Sequence, residues 1–281
     1  MVENCFLAVS TCSAWFSTRL SIPTTSFGQY AVTFDLWQTL IFEADGSAKS
    51  NARRVFRAKH SVNELAQLGE HVERASVDQL FLDFSDEITA GHDHGTDAQY
   101  DDWILKIFER MSPGVESRVG TAEIIRIGRV IDRTFIEMPP LLLDGSAGIL
   151  DVLASKGVKV GLISNTGLTS PELYREWFDA KGILDKFDFL SFSNEQEVAK
   201  PSPAIFETTL TGLGVKAGNT LHVGDNIHTD VGGAAAVGMS TVWVRGGVQS
   251  PVETAVEPDF TVDSVLELPE IVDAWLSSFS S

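Results

Sequence analysis

Cysteine is nearly absent: Cys5 and Cys12 are the only two in 281 residues, and both precede the first recognisable strand. The body of the chain therefore holds neither a disulfide framework nor a cysteine metal cluster. This usage suits a reducing intracellular compartment, with the cytoplasm as the expected location. Basic residues are also scarce, 21 Lys and Arg against 39 Asp and Glu, for a net charge of -18. Nucleic-acid backbones and anionic membrane surfaces both require clustered Lys and Arg, so neither is expected as a partner. The acidic excess serves solubility. No run approaches the ~18 consecutive apolar residues that span a bilayer, and there are no internal repeats or low-complexity tracts. A small molecule remains as the expected partner. An anionic one is allowed, because a few local cations or a bound metal dominate a small pocket.

What is present is ordinary for a soluble globular chain: 43% hydrophobic and 21% charged residues, at a length that holds one large domain or two modest ones. Residues 1–29 are Ser/Thr-rich, with Arg19 their only basic residue. They begin Met1-Val2-Glu3-Asn4, without the basic start and continuous apolar core of a secretory signal, and they are poor in arginine for a transit peptide. They are expected to form a poorly ordered extension, with organelle targeting as the weaker alternative.

Tyr30-Ala31-Val32-Thr33-Phe34 is an apolar run that ends at Asp35. From Val158 onward, short apolar runs alternate with helical patterns. Strands are expected at Val158–Ser164, Phe187–Phe192, Thr220–Val223, Thr241–Val244 and Phe260–Val262. Helices are expected at Pro171–Ala180, Pro203–Leu213, Asp230–Val237 and Val265–Leu276. Such alternation predicts a doubly wound, Rossmann-like parallel sheet with right-handed crossovers. Ligands in these sheets bind at the carboxyl ends of the strands, where Asp35, Ser164 and Asp225 all fall. Between the first strand and Val158 the pattern is helical, over Ala48–Leu68, Ser76–Ile88, Asp97–Met111 and Thr121–Ile136. Leu105, Phe108 and Met111 suggest one apolar stripe, and Ile124, Ile127, Val130 and Ile131 another. An all-helical unit over residues 47–138 thus interrupts an α/β core made of 30–46 and 139–281. Gly46 and the pair Pro139-Pro140 stand at its edges.

A carboxylate at the end of a buried strand is costly unless paired or bound to metal. Asp35, Asp225 and Asp230 are three such groups against one lysine, Lys200. A divalent ion is the natural counter-charge, and all-oxygen ligation points to Mg²⁺. Four segments stand in order: Asp35-Leu36-Trp37-Gln38-Thr39-Leu40, Gly161-Leu162-Ile163-Ser164-Asn165, Lys200-Pro201, and Gly224-Asp225 followed by Asp230. This series resembles the four motifs of the haloacid dehalogenase-like hydrolases, in the subgroup with a helical cap after the first motif. The resemblance implies hydrolysis through a covalent aspartyl intermediate. Asp35 is then the nucleophile and Lys200 the cation that holds it. Ser164 bonds a phosphoryl oxygen, and Asn165, Thr39 and Trp37 border the substrate. The implied Mg²⁺ ligands are Asp35, the main-chain carbonyl of Trp37, and Asp225, with Asp230 nearby orienting waters or Lys200.

Trp37 departs from that pattern, because the phosphatases of the family carry a second aspartate there as general acid and base. Losing such a group costs on the order of 10²–10⁴ in rate. The favoured reading remains a Mg²⁺-dependent phosphatase of a small metabolite. A 2-haloacid dehalogenase-like hydrolase is the alternative, since halide leaves without a proton and those enzymes carry an aromatic residue at this place. They lack the Gly224-Asp225 carboxylate, and their substrate-carboxylate arginine is not identifiable here, although Arg53, Arg54 and Arg57 are candidates. A non-catalytic binder of a phosphorylated ligand is the third reading. Gly91-His92-Asp93-His94-Gly95 offers two histidines without a third ligand and reads as a polar loop. The tryptophans other than Trp37 read as packing residues. The loop Glu43–Ser50 is expected to fold over the nucleophile.

Overall fold

The computed structural model describes residues 29–246 and 255–279. The expected N-terminal extension, with Cys5 and Cys12, therefore lies outside the described residues except for Gln29. Strand β1 (Ala31–Phe34) is buried along its whole length, as suits the centre of a parallel sheet covered on both faces. A tight turn leads to β2 (Ile41–Phe42). The helical stretch follows as α1 (Ala48–Gln67), α2 (Arg74–Asp93), α3 (Tyr100–Met111), α4 (Val115–Val119), α5 (Thr121–Asp132) and α6 (Thr134–Glu137). Strand β3 (Leu141–Leu142) then pairs antiparallel with β2 and closes the neck of that insertion. The remainder runs α7 (Ser146–Lys156), β4 (Lys159–Ser164), α8 (Pro171–Ala180), β5 (Phe189–Phe192), α9 (Ser193–Gln196) and α10 (Pro203–Leu213). It ends with β6 (Thr220–Gly224), α11 (Gly233–Ala236), β7 (Ser240–Val244), β8 (Phe260–Val262) and α12 (Leu268–Ser277).

Six parallel strands form one sheet in the order β5-β4-β1-β6-β7-β8. The chain steps outward from β1 in one direction and then in the other, which is the doubly wound α/β fold predicted. Val32, Phe34, Leu162 and Val223 pack with residues of α7, α8 and α12 on one face, and Ile163, Phe206, Leu210 and Ala234 fill the other. Helices α1 to α5 bury a separate apolar core that includes Phe84, Ile104, Phe108 and Ile127. Among the described residues no helix is long and apolar enough to cross a membrane.

Several expectations need correction. Helix α2 continues through Asp93, so His92 and Asp93 form its last turn rather than a loop. Helix α3 buries Trp103, Ile104, Ile107 and Phe108, which leaves Leu105 and Met111 only half-buried beside that stripe. The single helix expected over Thr121–Ile136 breaks at Arg133 into α5 and α6. In place of a helix from Asp230 to Val237, a π turn at Ile227–Gly232 runs into α11. This widened turn starts where Asn226 caps the N–H groups of His228 and Thr229 with its side-chain oxygen, at 2.9 and 3.1 Å.

Candidate active site

The register places Phe34 beside Leu162 of β4 and Val223 of β6. Asp35, Ser164 and Asp225 therefore emerge together at the carboxyl edge of the sheet. Lys200 arrives from the segment before α10, and its ammonium bridges two carboxylates: 2.6 Å to Asp35 Oδ1 and 2.7 Å to Asp230 Oδ1. The lysine side chain is 1% exposed. Such a buried cation is retained only where anions surround it. The amide of Asn165 fixes its backbone from both sides: Oδ1 accepts from Lys200 N–H at 2.8 Å, and Nδ2 donates to Lys200 C=O at 2.9 Å.

The β6 edge is built around Asp230. Its Oδ2 accepts the N–H of Asn226 at 2.9 Å, and His222 lies 3.5 Å from its Oδ1. The ring of His222 is itself held by Thr33, at 2.9 Å. Residue 224 must be glycine, since a Cβ there would meet the Asp230 carboxyl at 2.3 Å. Trp243 Nε1 donates to the main-chain oxygen of Asp225 at 2.8 Å, pinning the turn that presents this carboxylate. Carboxylate oxygens of Asp35, Asp225 and Asp230 all lie within 4.8 Å of one another.

Burial pushes the Asp35 carboxyl up to about 6, against the pull of the Lys200 ammonium; the nearby Asp230 charge adds to the rise. Asp230 moves the other way: burial disfavours its charge, but Lys200 and His222 overcome this and hold it well below the usual carboxylate range. Burial also works against the charge on Lys200, yet Asp230 and Asp35 raise it above the ordinary lysine value. The lysine therefore stays charged, and at neutral pH the nucleophile candidate is mostly ionised.

Trp37 does not point its indole at Asp35 as a proton donor. Its Nε1 donates to Tyr174 Oη at 3.1 Å, and the Arg53 guanidinium lies 5.8 Å from the ring centroid. Gln38 turns the chain in the left-handed region, with φ of 60°, and its N–H bonds Ile41 C=O at 2.7 Å. Arg53 is committed elsewhere, to Glu43 and to the Met138 carbonyl. Of the three arginine candidates, Arg54 and Arg57 remain on a cavity wall.

Two adjoining cavities frame the site. The smaller, about 190 Å³, is bordered by Asp35, Trp37, Asn165, Lys200, Asp225 and Asp230. The larger, about 480 Å³, lies under α1 and α2, with Ser50, Asn51, Arg54 and Arg57 on its wall. Trp37, Thr89, His92 and Asn165 border both. Thr39 and Ser164 border neither. Both are fully buried: the Thr39 hydroxyl has no partner among the described residues, and Ser164 Oγ bonds the Asn165 carbonyl at 3.5 Å. Sequence reasoning missed His222, Asn226 and Trp243. Only Asn226 carries a local signal, as a helix-capping residue directly after Gly224-Asp225.

This strand-edge site beneath a helical layer defines the class. The chain belongs to the haloacid dehalogenase-like hydrolases, whose family model matches residues 31–238. It is similar to the N-acylneuraminate-9-phosphatase of Mus musculus, with 27% identity over 248 residues, 87% of this chain and 94% of the relative. It is 34% identical over 122 residues to the glyceraldehyde 3-phosphate phosphatase of Methanocaldococcus jannaschii, covering 43% of this chain and 51% of that one. Among solved structures, a 2-haloacid dehalogenase of Pseudomonas syringae pv. Tomato shares the fold, with a TM-score of 0.63 and 21% identity over 88% of this chain and 99% of its own.

Proposed function

We propose that the protein is a phosphatase of a small phosphorylated metabolite, with Asp35 as nucleophile. The carrying observation is the buried Asp35–Lys200–Asp230 arrangement facing a small cavity together with Asp225. The phosphatase names of the relatives support the same class. Asp35 attacks phosphorus, the substrate P–O bond breaks, and a phosphoryl group rests on the carboxylate until water releases it. Lys200 holds Asp35 in line and offsets charge on the phosphoryl oxygens. Asp230 fixes the ammonium, and Asn165 fixes the lysine main chain. The helical unit over residues 47–138 acts as a cap that encloses the substrate away from bulk water. Arg54 and Arg57 on the wall of the larger cavity suit an anionic or polyhydroxy leaving group.

The donor set fits a hard divalent ion, because three carboxylates gather around a single ammonium. Asp35, Asp225 and the Trp37 carbonyl would hold Mg²⁺, while both oxygens of Asp230 already serve Lys200 and Asn226. When bound, the ion neutralises charge on the phosphoryl group. One observation favours the halide-releasing alternative, namely the indole of Trp37 at the site of a carboxylic acid. The Asp225 carboxylate opposes it, because an anionic haloacid would be repelled.

Hydrolysis of p-nitrophenyl phosphate, with and without Mg²⁺, by wild type and Asp35→Asn tests the proposal. Metal-dependent turnover that disappears in Asp35→Asn is expected. Turnover that persists in the variant, or silence from folded wild type, refutes it, and silence makes halide release from 2-haloacids the next assay.

A further inference from the structure

Trp37 leaves the first motif without a proton donor, yet an ionisable side chain borders the same small cavity from the cap side. His92, in the last turn of α2, borders both cavities with its side chain 13% exposed. Its Nε2 lies 2.9 Å from Asp97 Oδ2. The Asp97 side chain is wholly buried, and its other contacts are all with donors: Ser193 Oγ at 2.6 Å, Ala98 N at 2.7 Å and Trp103 Nε1 at 2.8 Å. Every other neighbour of this carboxyl donates to it, so Nε2 is taken as the donor of the fourth bond. Nδ1 is then the ring nitrogen left outside that bond. Nδ1 has no hydrogen-bond partner among the described residues.

The ring is also held in place relative to the nucleophile. The loop after α2 docks on the segment that carries Lys200: Gly95 C=O accepts from Ala199 N–H at 3.1 Å, and Thr96 forms an antiparallel bridge with Val198. Gly95 packs so closely that a Cβ there would come within 2.8 Å of the Ser202 Cβ. A cap helix end and the lysine segment thus form one unit, and His92 and Asp35 border the same small cavity.

We propose that His92 is the general acid and base of this enzyme, in the role that an aspartate at position 37 would otherwise fill. The inference rests on the phosphatase reading. In the first step Asp35 forms its bond to phosphorus, the P–O bond to the leaving group breaks, and the proton on Nδ1 passes to the departing oxygen. In the second step neutral Nδ1 takes a proton from water as the water oxygen attacks phosphorus. Orthophosphate leaves, and Asp35 and the protonated ring are restored. Asp97 is a positioning residue that holds the tautomer and stabilises the cation.

His92→Gln separates this role from a structural one, because the glutamine amide can donate to Asp97 as Nε2 does but has no proton to transfer. The probes are p-nitrophenyl phosphate, whose phenolate leaves unprotonated, and phenyl phosphate, whose leaving group has a pKa near ~10. In the first turnover the variant is expected to lose about 10²-fold on phenyl phosphate and to stay within about fivefold of wild type on p-nitrophenyl phosphate. First-turnover release of p-nitrophenol doubles as the folding control. Equal losses on the two esters, or no loss on either, would overturn the role of His92 while leaving the phosphatase standing. Absence of p-nitrophenyl phosphate turnover by folded wild type would remove the phosphatase reading and this inference with it. Trp37→Asp in the His92→Gln background should recover phenyl phosphate turnover, and no recovery in a variant that retains first-turnover release of p-nitrophenol counts against the shared role.

Discussion

Lys200→Met keeps the length of the buried stem and removes the one charge between Asp35 and Asp230. The lysine is 1% exposed with carboxylate oxygens at 2.6 and 2.7 Å. Breaking a buried ion pair from one side costs about 3–5 kcal/mol, mostly from the uncompensated charge left behind. That cost is expected in full at pH 8, read by urea unfolding. It should shrink as the pH falls. Asp35 stands at about 6 even with the lysine in contact, and without it moves higher. A folded-state pKa above the unfolded one means that the native protein holds a proton the unfolded chain releases. The variant therefore gains stability as the pH falls through that raised value towards 4, by about 1.4 kcal/mol for each tenfold difference in proton affinity between the two states. Wild type changes less over the same range, because its Asp35 is raised less. The depressed Asp230 of wild type keeps its contribution until the pH falls below its unfolded value near 3.8. A penalty below about 1 kcal/mol at pH 8 would show that the lysine does not stabilise the two carboxylates. A penalty equal at pH 8 and 5.5 would assign the loss to packing rather than charge.

Two further substitutions probe the supports of the site. Gly224→Ala would push a methyl group against the Asp230 carboxyl at 2.3 Å; it should cost about 1–3 kcal/mol in urea unfolding and lower kcat by roughly tenfold or more as Asp230 shifts from Lys200. Asp132 is 1% exposed and is pushed up to about 6 by burial, against the hydrogen bonds from Ser170 and the charge of Arg57. Its pKa is raised on folding, so wild type loses stability as pH rises from 4 through 6. Asp132→Asn, which copies the neutral form, should be the more stable protein at pH 7.5 by up to about 3 kcal/mol, an advantage that shrinks to about 1 kcal/mol at pH 4.5, as compared by urea midpoints.

The fold was legible where local chemistry marks both ends of an element. Helices Pro171–Ala180 and Pro203–Leu213 match the expectation at each end, since proline opens both and Gly214 closes the second in the left-handed region. Strand β8 matches likewise. Helix α7 went unread because Gly145-Ser146-Ala147-Gly148 looks like a turn; in the structure Gly145 serves as its left-handed entry, pressed within 2.7 Å of the Leu266 side chain if a Cβ is added. The two-residue strands β2 and β3 are too short for any period to show, and only their pairing across the insertion makes them strands.

The site divides along the same line. Asp35, Asn165 and Asp225 could be picked out because each follows the end of a strand, where sequence pattern and ligand position coincide, and Asp230 by its spacing from Asp225. Lys200 was legible only through the order of the motifs, and its burial could not be seen at all. Ser164 and Thr39 were picked out by motif alone; both are fully buried and border neither cavity. His92 shows the converse. Its partner Asp97 is close in sequence, but the ring borders a cavity made by residues such as Lys200 and Asp225 from the far half of the chain. No period or spacing reports that meeting. A tryptophan two places after Asp35 says only that the proposed hydrolysis would draw its proton from another residue. Which residue that would be depends on where the inserted helices end over the sheet, and in this structure α2 ends with an imidazole hydrogen-bonded to a buried carboxylate.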